Sequence, residues 1–357
     1  VTKNILFLVN GLGLGNSTRC HAVIQRLRKR GVGIQVFTSG NGLWYFRQYQ
    51  DVDMVHENQS FNYGSNNGQI SMFGTAKSVL HYWRIAKNNE KRIAALIKKL
   101  KPDAVITDSD YSFKPMKRFK IPIIALNNAN VVRFLYHRFA DRPRSIWAQF
   151  HLIEYMDYLF HFFIPDLVLA PSLDSKLPLN TNQFKVTDVI VRQGFFPKIS
   201  YSTPKRVVVM LSGSTFGSPV KFSRRDYGVH IDVVGRDAPE GGSLNSRIVF
   251  HGKILNTQQI LNDADLLVIN GGFSAVSEAF WLRVPMVVVP VARHAEQWIN
   301  ARMIAHLGVG ILAQEQELES AMVTALQRLD QFRAAYAQVP APLDGAEQAA
   351  EEIMKII

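Results

Sequence analysis

The chain has 357 residues, 47% of them hydrophobic and 20% charged, with a formal net charge of +12. That length favours two globular domains with separate cores, and the single cysteine, Cys20, excludes an intrachain disulfide and favours a reducing, cytoplasmic setting. No uncharged run reaches the ~20 residues a membrane span needs, no signal peptide is expected ahead of Asn4, and the scattered basic residues form no nucleic-acid module, which turns the charge toward nucleotide diphosphates or an anionic membrane surface.

In chain order, Ile5–Val9 is an apolar run with strand character. Asn10 to Arg19 follows, with glycines at 11, 13 and 15. Cys20–Arg30 carries Ala22, Val23 and Leu27 at helical spacing and is closed by Gly31 before a strand at Ile34–Phe37. This is a βαβ opening. Its glycines do not follow the dinucleotide spacing, and the second strand ends Phe37-Thr38-Ser39-Gly40 with no acid for a ribose. Phe61–Gly74 reads as a polar surface loop, its aromatics available to stack on a sugar or lipid. A long helix over about 76–100 has a basic outer face.

Strand Ala104–Thr107 leads into Asp108-Ser109-Asp110. Acids at the carboxyl end of a parallel strand face the ligand-binding edge. Asp108 is the favoured general base and Asp110 the second; the competing reading is a helix cap. His21, one turn into its helix, is a further candidate base, outweighed by a packing or surface role. Strand Ile121–Leu126 ends in Asn127-Asn128-Ala129-Asn130, suited to polyol recognition or to turn formation. A helix over about Ser145–Phe163 is dense in aromatics, with His151, Glu154, Asp157 and His161 in one polar stripe. One reading docks it on a membrane, with Arg133, Arg138, Arg142 and Arg144 at the headgroups. The favoured reading buries it with the stripe wet, because Glu154 and Asp157 oppose an anionic surface.

Asp166–Ala170 and Val186–Val191 read as the last strands before a turn-rich segment, Gly194–Pro204. The expected domains are 1–196 and 205–340, with a linker at 197–204 and a closing helix within 341–357. Arg206–Leu211 is a strand followed by Ser212-Gly213-Ser214-Thr215-Phe216-Gly217. His230–Val234 and Arg247–Phe250 are further strands, the latter leading to His251-Gly252-Lys253-Ile254. Leu266–Ile269 then feeds Asn270-Gly271-Gly272, with Ser274 the expected N-cap of a short amphipathic helix. A glycine turn feeding a helix start aims N–H groups and about half a positive charge at one point, which suits a phosphate. Glu278, one turn further in, is placed to accept from ribose hydroxyls. Met286–Val289 is closed by Pro290, and a loop presents Glu296 and Gln297 before a helix at Trp298–His306. In a parallel sheet both loops emerge at one edge. The inventory fits a nucleotide-sugar.

Asn270 to Glu278, with Pro285, Pro290, Glu296, Gln297, Asn300 and Ala301, resembles the donor-binding signature of GT-B glycosyltransferases, closest to family 28 and the related UDP-glycosyltransferases. The resemblance implies an α/β protein of two Rossmann-like, doubly wound parallel-sheet domains facing across a cleft. It assigns the diphosphate to Gly271, Gly272, Ser274 and Ala275, the ribose to Glu278, and the donor sugar to Glu296 and Gln297. Asn270 stands where relatives often carry His or Arg. Gly13 to Arg19 resembles the family's Gly-x-Gly-His-x-x-Arg loop, which adds Gly13 and Gly15 to the donor set. Asn16 replaces the His, and an amide cannot take a proton. Asn16, Asp108 and Asp110 are therefore the catalytic candidates. Gly213, Ser214 and Thr215 resemble a second diphosphate loop, Ile254 lies where relatives hold the base, and the closing helix is expected to return to the first domain. The implied activity is a metal-independent hexosyl- or N-acetylhexosaminyltransferase with no cofactor, a UDP-sugar donor and a hydroxyl acceptor, lipid-linked or a glycan. Two alternatives stand beside it: a nucleotide-sugar hydrolase of the same fold, and a non-catalytic sugar-nucleotide binder, suggested by Asn16.

Overall fold

A computed structural model describes residues 3–58, 65–66, 69–70, 72–198, 203–211, 222–223, 225–238, 246–252, 254 and 256–357, with side chains for all of these outside 65–85. The chain forms two units. The first comprises Val1–Phe134, Leu152–Gln193 and Leu343–Ile357; the second comprises Leu135–His151 and Gly194–Pro342. Chain order alone would leave Leu135–His151 with the first unit. Packing assigns it to the second, because the Phe139 ring meets Trp298 and His306 and Arg302 Nε donates to Asp141 at 2.7 Å.

In the first unit the elements run β1 (Asn4–Val9), α1 (Leu14–Lys29), β2 (Gly33–Thr38), α2 (Gly40–Phe46), β3 (Met54–Glu57), β4 (Ser65–Asn66), β5 (Gln69–Ile70), α3 (Met72–Leu100), β6 (Ala104–Asp108), α4 (Lys114–Phe119), β7 (Ile123–Leu126) and α5 (Ala129–Arg138). α6 (Trp147–Gln149) lies in the second unit, and the first resumes with α7 (Tyr155–Phe163), β8 (Leu167–Pro171) and β9 (Phe184–Thr187). Seven strands form one parallel sheet in the order β3-β2-β1-β6-β7-β8-β9. Phe7 pairs with Val36 on one side and Ile106 on the other. Residues 6–9 of β1 are wholly buried, as a strand covered on both faces requires. That is why the first strand is an unbroken apolar run rather than an alternating one.

The second unit runs β10 (Arg206–Met210), β11 (His230–Val234), β12 (Ile248–Gly252), α8 (Gln258–Asn262), β13 (Leu266–Ile269), α9 (Phe273–Leu282), β14 (Met286–Val288), α10 (Ala295–His306), β15 (Gly310–Leu312), α11 (Leu318–Gln327) and α12 (Leu329–Gln338). Its six strands are parallel, in the order β12-β11-β10-β13-β14-β15. Both sheets start centrally, run to one edge, then restart beside the first strand and run the other way. Such a reversal opens a crevice at the carboxyl ends of the two central strands. In the first unit those ends belong to β1 and β6, in the second to β10 and β13.

The closing helix α13 (Gly345–Met354) belongs to the first unit. The Asp344 carboxylate caps it, accepting from Ala346 N and Glu347 N, and also receives Arg26 Nη2 at 2.8 Å. Gly345 lies so close to the chain at Asp188 that a Cβ would fall 2.0 Å from the Asp188 carbonyl oxygen.

The expected strand at Val186–Val191 lies earlier, at Phe184–Thr187. The aromatic helix also departs from expectation. It is broken by a π turn at Phe150–Glu154, and its polar stripe points inward. Glu154 and His161 are buried. Asp157 accepts from Tyr111 Oη at 2.9 Å and from Asn127 Nδ2 at 3.0 Å. Burial opposes its charge, yet bonds from His161, Asn127 and Tyr111 hold the carboxyl below the ordinary range. The partners come from the ends of β6 and β7, and no helical periodicity reveals them. Among the described residues, no helix is long and apolar enough to cross a membrane.

Candidate active site

At the reversal edge of the second unit, β13 ends in Asn270-Gly271-Gly272. Gly272, not Ser274, is the N-cap of α9: its backbone is extended and its carbonyl accepts from Val276 N at 3.2 Å. Ser274 is thus the second helical residue. Its N-cap is a glycine with no side chain to offer, and a Cβ on Gly272 would meet nothing within 4 Å. Phe273, Ser274 and Ala275 supply its leading amides.

Gly271 is required for a different reason. A Cβ there would lie 2.3 Å from the Gln297 carbonyl oxygen, so only glycine lets α10 approach the turn. Asn300 Nδ2 fastens this contact by donating to Gly271 O at 2.9 Å. The side-chain amide of Asn270 donates to Val289 O at 3.0 Å and ties the two strand-end turns together.

Glu296 and Gln297, expected on a loop, are the second and third residues of α10. The loop is shorter than its sequence suggested because Gln297 Oε1 accepts from Val291 N at 2.9 Å and folds it back. The two helix starts are therefore neighbours, and their positive ends reinforce each other. The first amide of α10 is already engaged, Ala295 N donating to Gln149 Oε1 at 2.8 Å. Gln149 lies over a hundred residues upstream, and no motif marks it. Glu278 is buried within α9. Ile254 is half-buried beyond β12, after a left-handed Gly252. Gly213, Ser214 and Thr215 lie outside the described residues, as does Lys253.

His294, the N-cap of α10, also went unmarked by any motif. Burial pulls its imidazole down from 6.5 to about 4. Between those values the unfolded chain binds a proton that the folded chain refuses, so stability falls as pH drops through this window. The loss should reach on the order of 3 kcal/mol at the acid end. Urea melts from about pH 7 to about pH 4 should show it in the parent, and His294→Gln should flatten it.

At the corresponding edge of the first unit, Gly13 is the N-cap of α1, so Gly15, Asn16 and Arg19 are already helical; the helix begins six residues before the expected Cys20. A Cβ on Gly13 would meet nothing within 4 Å, whereas one on Gly11 would collide with Ser39 O. Asn10 joins the two central strand ends: its N donates to Asp108 O at 3.0 Å and its Nδ2 to Ser109 O at 3.2 Å.

Asp108 is not placed to act as a base. Its exposure is 0%, Arg19 Nε donates to Oδ2 at 2.8 Å, and Arg19 Nη2 donates to Oδ1 at 2.6 Å. Sequence could not show this pairing, because it depends on β1 and β6 being neighbours. Arg19 also reaches Asn16 Oδ1 at 3.4 Å, which orients the amide. Burial and the Asp108 charge push the Cys20 thiol up, so it stays protonated. Asp110 is half-buried, and burial pushes its carboxyl up against opposing bonds from Ser112. Its Oδ1 accepts from Ser112 N at 2.9 Å. Of the packing and surface roles, His21 takes the packing one: it is buried, with Nδ1 2.8 Å from Tyr45 Oη and Nε2 2.7 Å from Asp51.

The asparagine cluster divides. Asn127 caps α5, accepting from Ala129 N at 2.6 Å. Asn128 and Asn130 are buried, and the Nδ2 of each donates to no partner among the described residues.

Two parallel α/β units, each with a glycine turn leading into a helix at its reversal edge, make the GT-B fold of glycosyltransferases. The comparisons agree. A model described as "Glycosyl transferase family 1" matches residues 3–148 and 226–329, and the chain belongs to that family. An "Uncharacterized glycosyltransferase" of Methanosarcina mazei is 21% identical over 332 residues, 86% of this chain and 85% of its own. Among solved structures, the calicheamicin glycosyltransferase CalG4 superposes with a TM-score of 0.68 at 18% identity, covering 99% of this chain and 98% of that one. The Streptomyces sp. SF2575 glycosyltransferase SsfS6, complexed with thymidine diphosphate, gives 0.59 at 17% identity, with 99% of both chains covered. Acinetobacter baumannii MurG gives 0.61 at 14%, again over 99% of both.

Proposed function

We propose that this glycosyltransferase moves a hexosyl or N-acetylhexosaminyl group from a nucleotide-diphospho-sugar, a UDP-sugar, to a hydroxyl acceptor that is lipid-linked or part of a glycan. The observation that carries the proposal is the glycine-led start of α9, with the start of α10 packed against it through Gly271. Amides at a helix start favour a diphosphate in the ground state and more strongly as it departs. They supply positive potential without a metal ion. The thymidine diphosphate in SsfS6 supports a nucleotide donor by likeness.

In this reading Gly271, Gly272, Ser274 and Ala275 hold the diphosphate, Glu278 the ribose, and Glu296 with Gln297 the sugar. The buried amide nitrogens of Asn128 and Asn130 suit hydroxyl oxygens of the acceptor, because a buried donor left unmet is costly. Asn16 cannot accept a proton. With Asp108 held by Arg19, Asp110 is the carboxylate left to act as base.

A thermal-shift screen over UDP-, dTDP- and GDP-sugars, with and without EDTA, tests the donor. A UDP-sugar should stabilise the chain in both conditions; no shift with any nucleotide would end the proposal. Glu278→Ala should weaken nucleotide binding by roughly 1–3 kcal/mol in calorimetry. Unchanged affinity would remove the ribose role. Asn16 favours a second reading, in which the chain binds the donor without turning it over; a nucleotide-sugar hydrolase of the same fold is the other alternative. Release of free sugar and UDP at a rate indifferent to added acceptor would mark a hydrolase, and binding without turnover a non-catalytic binder.

A further inference from the structure

The polar stripe of α7 faces the core, so the opposite, apolar side faces solvent. Leu152 is 67% exposed, Met156 56% and Phe163 71%, with Ile153 and Phe162 beside them. The residues at 152, 156 and 163 fall at helical spacing along one face. Monomeric proteins seldom leave such a run of large apolar side chains uncovered without a use for it. The acids of the same segment are withdrawn: Glu154 is buried and Asp157 is bonded to Tyr111 and Asn127.

The neighbouring surface is basic. α3, α4 and the end of α7 cover one face of the first sheet, with Ile93, Ile97, Met116 and Ile164 in a single cluster with Leu6 and Leu8. Phe160 of α7 meets the Tyr111 and Phe113 rings just ahead of α4. The outward residues of α3 and α4 include Lys91, Lys98, Lys99, Arg118 and Lys120, all exposed. Nearby acids are already matched, Glu90 by Lys114 at 3.8 Å and Asp166 by Lys117 at 3.1 Å.

We infer that this face of the first unit docks on an anionic lipid bilayer, with Met156 and Phe163 entering the headgroup–acyl boundary and the α3–α4 cations meeting lipid phosphates. An apolar strip beside a cationic face is the combination that peripheral binding needs: either alone is weak and reversible, and together they hold. A second copy of the chain fits less well, because a two-fold pairing would set this cationic face against itself. The inference does not depend on the donor assignment.

Co-sedimentation of the full chain with vesicles tests it. Vesicles of phosphatidylcholine with about one-third phosphatidylglycerol should capture the protein at low salt, and pure phosphatidylcholine should capture little. About 0.5 M salt should release most of it. Met156→Asp with Phe163→Asp should cut the partition coefficient at least about tenfold. Arg118→Gln with Lys120→Gln should cut it about fivefold per cation removed. All four sites are on the surface, so unchanged thermal melts confirm the fold of each variant. Equal capture by both vesicle types, no capture at low salt, or undiminished capture of the double-aspartate variant would overturn the inference. So would a dimer in sedimentation velocity that the double-aspartate variant dissociates, which would assign the face to a second copy.

Discussion

Arg19→Met should lower the unfolding free energy by about 3–5 kcal/mol, the cost of leaving a buried carboxylate without its partner. The Asp108 carboxylate is wholly buried, and both oxygens receive the guanidinium. Methionine keeps most of the side-chain volume and removes every donor, so the loss reports the charge rather than a cavity. Urea unfolding at neutral pH measures it. The double variant Arg19→Met, Asp108→Leu should recover most of the loss, because replacing both partners removes the orphaned charge. A loss below about 1 kcal/mol for the single variant would mean that water reaches Asp108. Asp108→Asn would then become the first substitution to try for a lost base.

Asp110→Asn should lower kcat by about 10²–10⁴-fold with little change in the donor KM, as expected when a general base is removed from a bound complex. Burial raises the Asp110 carboxyl above the ordinary aspartate range. A base works only when deprotonated, so parent activity should fall on the acid side at a pH above that range. The acid limb should vanish with the substitution. Raising the base toward the working pH also strengthens it as a proton acceptor. The pH–rate profiles of parent and variant, taken with a saturating concentration of whichever nucleotide-sugar the thermal-shift screen selects, make the measurement. Turnover within a few-fold of the parent would leave Asp110 as the turn residue that its bond from Ser112 N already makes it.

The legibility of this chain follows the range of the interactions. The runs at 5–9, 207–211 and 266–269 announce parallel strands because a strand covered on both faces must be apolar throughout. Gly271 and Gly272 announce a glycine turn into a helix, and at Gly271 the close approach of Gln297 demands the missing side chain. The apolar runs are local requirements, satisfied within each strand, and the α/β class could be read from them.

The errors lie where a partner is distant. Asp108 resembled a base until Arg19, 89 residues away, was found on it. The stripe of α7 resembled a wet face until Tyr111 and Asn127, 46 and 30 residues away, were found holding Asp157. Residues 135–151 followed the first unit in sequence, yet Phe139 packs on α10 in the second.

By itself the sequence determined the class of fold, the glycine turn into a helix at Asn270–Gly272 and the absence of a proton acceptor at Asn16, since each follows from side-chain chemistry at one place. Tertiary structure alone decided which carboxylate is sealed in an ion pair, which unit each segment joins and which side of the aromatic helix meets water. A periodic pattern shows that a helix has two faces. Only the strand order, by bringing the ends of β6 and β7 beside α7, shows which of them is turned inward.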